Sequence, residues 1–335
     1  MKKIIFLSFF LFSFIGTCFS QYIFPLHFYE NDGEIRFGRF DVEQDTIYWP
    51  LGKKGLLIFD AKDAKNLRRV KLYRPYEIVS YKKVYNSANS IKVDDDQAYF
   101  AHGDQGFEIL DVSNVNDPAV IGRYYRHQEV FNFKLYKGHA ILALDHMGVE
   151  VINLDDYNDM DMISRKNFDD LHVNNLAIYK NYVYASCGVY GLKIIPYNEP
   201  LEKFEGRIFP KEYTSEAAIH KILIYDKFGF LANDAEGVTI LDLNLPEYPS
   251  VIENIPTEGK AMDILLDHPL LYVATTKGIE IYDVENPDNI SKIDVYADTK
   301  RSFQRLAIED NRLYATYKRG WWLWRKFGMM IFEIE

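Results

Sequence analysis

The chain has few cysteines, an excess of acidic over basic residues, and a single long apolar run. Only 2 of its 335 residues are cysteine, so at most one disulfide can form and no disulfide framework holds the fold. The 39 Lys and Arg are outnumbered by 49 Asp and Glu, and this net charge of −10 argues against a nucleic-acid partner, which needs a basic surface. With 19 Gly and 12 Pro, the composition also excludes collagen-like and disordered chains.

The apolar run lies at the N-terminus and has the pattern of an export signal. Lys2 and Lys3 precede the apolar stretch from Ile4 to Ile15, and a small residue, Ser20, ends the segment. The run is too short to span a bilayer as a helix, so we expect cleavage after Ser20 and no transmembrane span in the mature chain. The alternative is a lipoprotein anchored through Cys18. Either route exports the protein to the periplasm, the cell surface or the medium, and residues 21–335 then form a single domain.

One short phrase recurs along the remaining chain: a glycine, alternating apolar residues, and an acidic or amide residue five positions later. Its clearest copies are Gly106-Phe-Glu-Ile-Leu-Asp111 and Gly237-Val-Thr-Ile-Leu-Asp242. The seven glycines that begin the copies are Gly55, Gly106, Gly148, Gly191, Gly237, Gly278 and Gly328. Their spacings of 51, 42, 43, 46, 41 and 50 residues indicate seven structural repeats. We interpret the glycine as a backbone requirement and the acidic residue as a turn residue, so neither is a functional site.

A full repeat contains four short stretches rich in β-branched and aromatic residues, separated by turn signals. This pattern predicts an all-β fold, a seven-bladed β-propeller with four-stranded antiparallel blades. The seventh repeat ends after its third stretch, while the segment from Tyr22 to Tyr29 belongs to no repeat. We therefore predict that this N-terminal strand is the outer strand of the last blade and closes the ring.

The best copy of the phrase continues as Asp111-Val-Ser-Asn114 and Asp117-Pro-Ala-Val-Ile-Gly122. In this form it resembles the LVIVD-repeat family of bacterial extracytoplasmic β-propellers, over nearly the whole mature chain. The resemblance implies a secreted or surface-exposed scaffold and no common catalytic residues. The fourth repeat lacks the acidic residue and the seventh lacks the downstream turn.

One polar position recurs at the start of the first strand of every repeat. These seven residues should surround the mouth of the central channel: Arg39, Ser90, Asn132, Asn175, Lys221, Asp263 and Arg305. Such a polar mouth suits a small polar or anionic ligand, with Arg39, Lys221 and Arg305 as candidate binding residues. The alternative is a solvated rim that binds only water.

A basic and aromatic insertion distinguishes the seventh repeat, and a tyrosine-rich segment lengthens the connection between the first two. The insertion at 318–327 holds three of the four tryptophans, on the face that we expect to carry the channel mouth. The candidate binding residues in these two segments are Arg319, Trp321, Trp322, Trp324, Arg325, Tyr81 and Tyr85. Because exposed tryptophans and tyrosines anchor partners and stack on sugars, we predict a joint contact patch.

Signals for catalysis and for bound metal are weak, so we expect no catalytic residues, no metal and no cofactor. A metal site would have to combine His102, Asp104, Asp145 and His146, whose spacing matches no metal motif. A saccharide-acting hydrolase or lyase would need two close carboxylates on the loop face. The candidates are Asp104, Asp145, Asp234 and Glu236.

These observations favour an exported, non-enzymatic and monomeric propeller that binds a protein or glycan partner through one face of the ring. The saccharide-acting enzyme is the first alternative. A purely structural component of the cell envelope is the second.

Overall fold

The computed structural model describes residues 23–32, 38–74, 76–79, 82–85, 87–103, 106–125, 129–144, 146–168, 171–196, 217–287, 289–320 and 326–335. Within these ranges the chain consists of strands, bridges and turns, and no helix is long and apolar enough to cross a membrane.

Seven blades follow one another along the chain. Blades 1 and 2 consist of β2 (Asp41–Glu43), β3 (Thr46–Pro50), β4 (Leu56–Asp60) and β5 (Arg68–Tyr73), then β8 (Ser90–Asp94), β9 (Gln97–Ala101), β10 (Phe107–Asp111) and β11 (Ala119–Tyr124). Between them lies a hairpin of β6 (Tyr76–Val79) and β7 (Lys82–Tyr85). Blades 3 and 4 consist of β12 (Val130–Tyr136), β13 (His139–Leu144), β14 (Gly148–Asn153) and β15 (Met162–Lys166), then β16 (Asn175–Tyr179), β17 (Tyr182–Ser186) and β18 (Leu192–Pro196).

The second half of the ring repeats this arrangement. Blades 5 and 6 consist of β19 (Lys221–Tyr225), β20 (Phe228–Ala232), β21 (Val238–Asp242) and β22 (Ser250–Ile255), then β23 (Ala261–Asp267), β24 (Leu270–Thr275), β25 (Gly278–Asp283) and β26 (Ser291–Ala297). Blade 7 combines β27 (Ser302–Glu309), β28 (Arg312–Arg319) and β29 (Lys326–Ile334) with β1 (Ile23–Asp32).

Each blade is an antiparallel meander whose first strand in sequence is the innermost one, except that β1 is the outermost strand of blade 7. Neighbouring inner strands contact one another around the ring, and β27 contacts β2, so the ring is closed. The prediction of a seven-bladed, all-β propeller with antiparallel blades is confirmed. Six blades show four strands. The outer strand of blade 4 would fall within 197–216, outside the described residues.

The N-terminal strand closes the ring as predicted. β1 pairs antiparallel with β29, from Ile23 opposite Ile334 to Asp32 opposite Lys326, with a bulge after Pro25. Because β1 is an edge strand, Pro25 removes no hydrogen-bond donor that the sheet needs. Glu30 ties the strand to the rest of blade 7 through ion pairs with Arg319 (2.8 Å) and Lys326 (3.1 Å).

The hydrophobic core is divided among the blade interfaces. Seven clusters of buried side chains occur in the described part of the chain, one between each pair of neighbouring blades. Between blades 7 and 1, the fully buried Trp49 packs edge-on against Phe327 and against Tyr29 of β1. The abundance of aromatic residues is therefore explained by packing between blades, and the strand that closes the ring shares in it.

The recurring glycine and acidic residue have the structural roles expected of them. Six of the seven glycines have φ values between 76° and 154°, in the region that favours glycine: Gly55, Gly106, Gly148, Gly191, Gly237 and Gly278. Gly328 differs, because there a Cβ would collide with the backbone carbonyl of Tyr29 on β1. The acidic residues accept a hydrogen bond from the amide two positions later, as Asp111 does from Ser113 at 2.9 Å.

Candidate functional site

One cavity of about 520 Å³ lies in the central channel. All seven residues at the recurring polar position line it, namely Arg39, Ser90, Asn132, Asn175, Lys221, Asp263 and Arg305. We call these seven residues the inner ring and the space they line the channel cavity. Its volume lies in the range of small-molecule sites, which is about 300–1,000 Å³.

The uncharged members of the inner ring connect neighbouring blades. Ser90 Oγ donates a hydrogen bond to Asn132 Oδ1 (3.0 Å), and Asn175 Oδ1 accepts one from the amide of Ile222 in the next blade (3.0 Å). Ser90, Asn132 and Asn175 are all buried. They therefore connect neighbouring blades inside the channel, and these three residues do not form the solvated rim that was the alternative.

The charged members of the inner ring converge on one carboxylate, Asp263, whose side chain is 1% exposed. Lys221 Nζ lies 3.1 Å from Asp263 Oδ1, and Arg39 Nη1 lies 3.4 Å from the same oxygen. Arg39 reaches this position from blade 1 across the channel, where its Nη2 also donates to the carbonyl of His220 (3.1 Å). The other oxygen of Asp263 accepts the amide of Leu306 from blade 7 (2.8 Å).

The pKa values of these groups follow from burial and from crowding of like charges. Burial raises the pKa of Asp263, but the charges of Lys221, Arg39 and Arg305 outweigh it and hold that pKa below its ordinary value. Burial lowers the pKa of Lys221 to about 8. The negative charge of Asp263 opposes this change, but the positive charge of Arg39 offsets part of that effect. Burial and Arg39 also lower the pKa of Arg305 to about 10. Three cations therefore lie near a single carboxylate, whose one negative charge does not balance theirs.

The guanidinium group of Arg305 has one donor without an acceptor among the described residues. Its Nη1 donates to the carbonyls of Gln304 (3.0 Å) and Met262 (3.3 Å). Its Nε is buried and has no hydrogen-bond partner among the described residues. A buried donor without an acceptor is costly, so this edge of the guanidinium favours an additional acceptor.

Two further lysines line the cavity beyond the inner ring. Lys92 and Lys134 follow Ser90 and Asn132 by two residues, and alternation along a strand turns them toward the same channel. Lys92 pairs with Asp41 (3.0 Å). Both lysines are exposed, so solvent reaches the cavity from their side.

Lys134 is the least compensated of the cations that line the cavity. Its ammonium group makes no hydrogen bond or ion pair with the described part of the chain. The surrounding walls of the cavity partly desolvate its ammonium group, and this desolvation together with the positive charges of Arg39 and Lys92 lowers its pKa, against the attraction of Asp263. Sequence reasoning missed Lys134, although its position two residues after Asn132 could have identified it.

The lining as a whole has an excess of positive charge. Its cations are Arg39, Lys92, Lys134, Lys221 and Arg305, and its carboxylates are Asp41, Asp94 and Asp263. Five against three leaves two positive charges in a chain whose net charge is −10.

Most of the predicted aromatic contact patch falls on residues outside the described ranges. Trp321, Trp322, Trp324, Arg325 and Tyr81 lie outside the described residues, and Tyr85 is described only as part of the backbone of β7. The register of β4 with β5 and of β28 with β29 shows that both connections leave their blades from the same end of the ring.

Arg319 has a structural partner. It pairs with Glu30 on β1, and its side chain is about one-third exposed. The joint patch stays a prediction, but this member of it also holds the strand that closes the ring.

The residues considered for enzymatic chemistry are partly described. Asp234 pairs with Lys260 (2.7 Å) and with His220 (3.3 Å), and these partners outweigh burial and lower its pKa. The acid of a glycosidase needs a raised pKa, so Asp234 does not suit that role. Glu236 accepts a hydrogen bond from Asn233 (2.8 Å), and Asp104 and Asp145 lie outside the described residues.

The histidines considered for metal binding lie in different surroundings. His102 is buried against the ring of Phe100 and lies 3.3 Å from Glu108, whereas His146 is exposed and lies against His172 with ring centroids 4.1 Å apart. No group of three or more potential ligands that could hold a metal ion occurs among the residues that the structure describes.

Comparison with known proteins supports the fold and one repeat. The LVIVD repeat matches residues 86–125. The computationally designed Ika8 protein is 8% identical with a TM-score of 0.62, covering 92% of this chain and 99% of that chain. A protein from Lactobacillus plantarum is 14% identical with a TM-score of 0.62, covering 80% of this chain and 88% of that one.

No curated protein is significantly similar in sequence. At these identities the two structures show the fold alone. The repeat at 86–125 spans the strands of blade 2 and stands within a closed ring of seven blades. Residues 86–125 therefore match the LVIVD repeat, within a chain that has the fold of a seven-bladed β-propeller.

Proposed function

We propose that this protein is a non-enzymatic binding protein, acting outside the cytoplasm, that recognises an anionic group of a protein or glycan partner in its central channel. The observation that carries the proposal is the excess of two positive charges in the channel cavity of an acidic chain. In a cavity confined by protein walls, such an excess attracts anions more strongly than the same charges would on an open surface.

The distribution of the charges supports this proposal. Lys221, Arg39 and Arg305 surround Asp263 in the buried inner part of the cavity, and Lys134 lies toward solvent. An anion entering past Lys134 would complete the partly satisfied guanidinium of Arg305 and relieve the repulsion among the cations. Ligand binding would thereby lower the electrostatic cost that the free protein carries.

A panel of anions tests the proposal. We expect at least one of sulfate, phosphate, succinate and glucuronate to raise the melting temperature of the wild type above that in sodium chloride of equal ionic strength. At 100 times Kd the gain in stability is about 2.7 kcal/mol. Lys134→Gln should reduce that gain, whereas Lys71→Gln, which removes a charge from an exposed pair with Asp117, should not. A flat response of the wild type to all four anions would overturn the proposal.

The predicted patch of basic and aromatic residues is the proposed surface for the remainder of the partner. Deleting 318–327 is a poor test, because it also removes Arg319 and Lys326, which hold Glu30. Trp322→Ala leaves these pairs in place. It should weaken partner binding without changing stability, and a large loss of stability would instead assign the tryptophan to packing.

Export is proposed from the sequence of residues 1–20. Expression of the full chain in a bacterial host, followed by mass spectrometry of the recovered protein, tests it. A chain beginning at Gln21 is expected, and a lipid on Cys18 would support the alternative anchor. A cytoplasmic chain that retains Met1 would contradict export.

A further inference from the structure

The channel cavity combines compact positive charge with space for an organic group, and we infer that its ligand is a sugar phosphomonoester. This inference rests on the proposed anion-binding function and names the class of anion. Three properties of the cavity lead to it: where its cations converge, how much charge they leave unbalanced, and what the rest of the wall offers.

The cations converge on one point. Lys221 Nζ and Arg39 Nη1 both lie within 3.4 Å of a single oxygen of Asp263, although they come from blades 5 and 1. Arg305, from blade 7, contributes its charge to the same carboxylate. A dicarboxylate carries its two charges several bonds apart, whereas a phosphoryl group concentrates both on one centre. Convergence therefore favours a compact dianion.

The unbalanced charge matches that of a phosphomonoester. The lining carries two more cations than carboxylates. A phosphomonoester carries about −1.5 to −2 near pH 7, while a sulfate ester or a single carboxylate carries only −1. The phosphomonoester also brings three acceptor oxygens, which suit the buried Nε of Arg305 and the ammonium group of Lys134.

The volume and the wall define the organic part. About 520 Å³ exceeds what a lone oxyanion fills, so the site holds a larger molecule. Phe40 and Phe133 contribute to the lining, but both are buried in clusters between blades and offer no free face for stacking a base. The exposed carboxylate of Asp94 can accept hydrogen bonds from hydroxyl groups. A hydroxylated ring therefore fits the wall better than a nucleobase.

Isothermal titration calorimetry on the chain without residues 1–20 tests this inference. The probes are glucose 6-phosphate, glucose, inorganic phosphate, succinate and adenosine 5′-monophosphate. We expect glucose 6-phosphate to bind more tightly than every other probe and glucose not to bind. Equal binding of methyl α-glucopyranoside 6-phosphate would indicate a ligand borne on a glycan, and exclusion of this glycoside would indicate a free sugar phosphate.

Two variants locate the site. Lys134→Gln should raise the Kd for glucose 6-phosphate about tenfold or more, the value expected for one lost charge-assisted hydrogen bond. Lys71→Gln makes the same change in charge outside the cavity and should leave the Kd within about twofold. Arg305→Gln should act like Lys134→Gln. Should that buried substitution prevent folding, Lys134→Gln still decides the location, because its side chain is exposed and has no partner to lose within the described ranges.

The outcomes distinguish failure of the proposed ligand class from failure of the proposed anion-binding function. Tighter binding of succinate or adenosine 5′-monophosphate than of glucose 6-phosphate would overturn the assigned class and leave the anion-binding function standing. Failure of every anion, together with a flat thermal panel, would overturn both. Tight binding of glucose 6-phosphate that Lys134→Gln does not weaken would place the site outside the channel and refute the inference.

Discussion

Asp263 offers the most direct test of the electrostatics of the channel. Replacing it by Asn keeps the size of the side chain and an oxygen for the Leu306 amide, but it removes the charge that faces Lys221 and Arg39. Because Asp263 is 1% exposed, water cannot take over its role. Leaving buried ions without their counter-ion costs about 3–5 kcal/mol.

This cost should be visible in thermal and urea denaturation. For a domain of this size about 2 °C accompanies each kcal/mol, so Asp263→Asn should melt roughly 6–10 °C below the wild type. The matched control is Asp117→Asn, which breaks an exposed pair with Lys71 at 3.5 Å and should cost well under 1 kcal/mol. Equal melting temperatures for the two variants would refute the claim that Asp263 neutralises the inner ring.

Phosphate should partly repair the defect. In Asp263→Asn the excess of positive charge in the cavity rises from two to three, so a dianion bound in the cavity can supply part of the missing negative charge. We expect phosphate to raise the melting temperature of this variant more than that of the wild type, with sodium chloride of equal ionic strength as the reference. A smaller gain in the variant would contradict the charge count.

Three further predictions concern closure, the buried thiol and pH. Ile23→Ala should cost about 2–4 kcal/mol in urea denaturation, because Ile23 is buried on β1, and Phe24→Ala on the outward face of the strand should cost less than half as much; equal losses would contradict closure by packing. Cys187 is buried, which raises its pKa to about 12, so a thiol reagent should label it only in denaturant; rapid labelling of the native chain would contradict this burial. Glucose 6-phosphate should bind about tenfold more weakly at pH 9 than at pH 7, because the pKa of Lys221 is about 8 beside Asp263 and the bound anion needs its charged form; calorimetry showing constant affinity would exclude this lysine from the site.

Much of the fold followed from local chemistry. The glycine that begins each phrase adopts a backbone conformation that few other residues tolerate, so it recurs once in every blade. Its seven copies, 41 to 51 residues apart, therefore predict seven blades. The alternation of apolar residues defined the strands, and the unassigned N-terminal stretch supplied the missing strand of blade 7. These features depend either on residues close together in the sequence or on the number of repeats and strands, and a sequence shows both.

The site was only partly predictable because it depends on contacts across the ring. A repeat position identified Arg39, Lys221 and Arg305, but nothing local indicates that Arg39 crosses the channel to Asp263. Lys134 could have been found by strand alternation from Asn132. The pairing of Arg319 with Glu30 depends on where β1 lies in blade 7, and it gives a structural role to a residue that the sequence also predicts for binding.

The pairing of β1 with β29 also sets an order of events in biosynthesis. About 300 residues separate the two strands, so at roughly 5–20 residues per second the ribosome makes β29 some 15–60 s after β1. Throughout that interval β1 lacks the strand with which it pairs, and blade 7 cannot acquire its outer strand. The ring can therefore close only after β29 has emerged, and until then the chain carries an open blade 7.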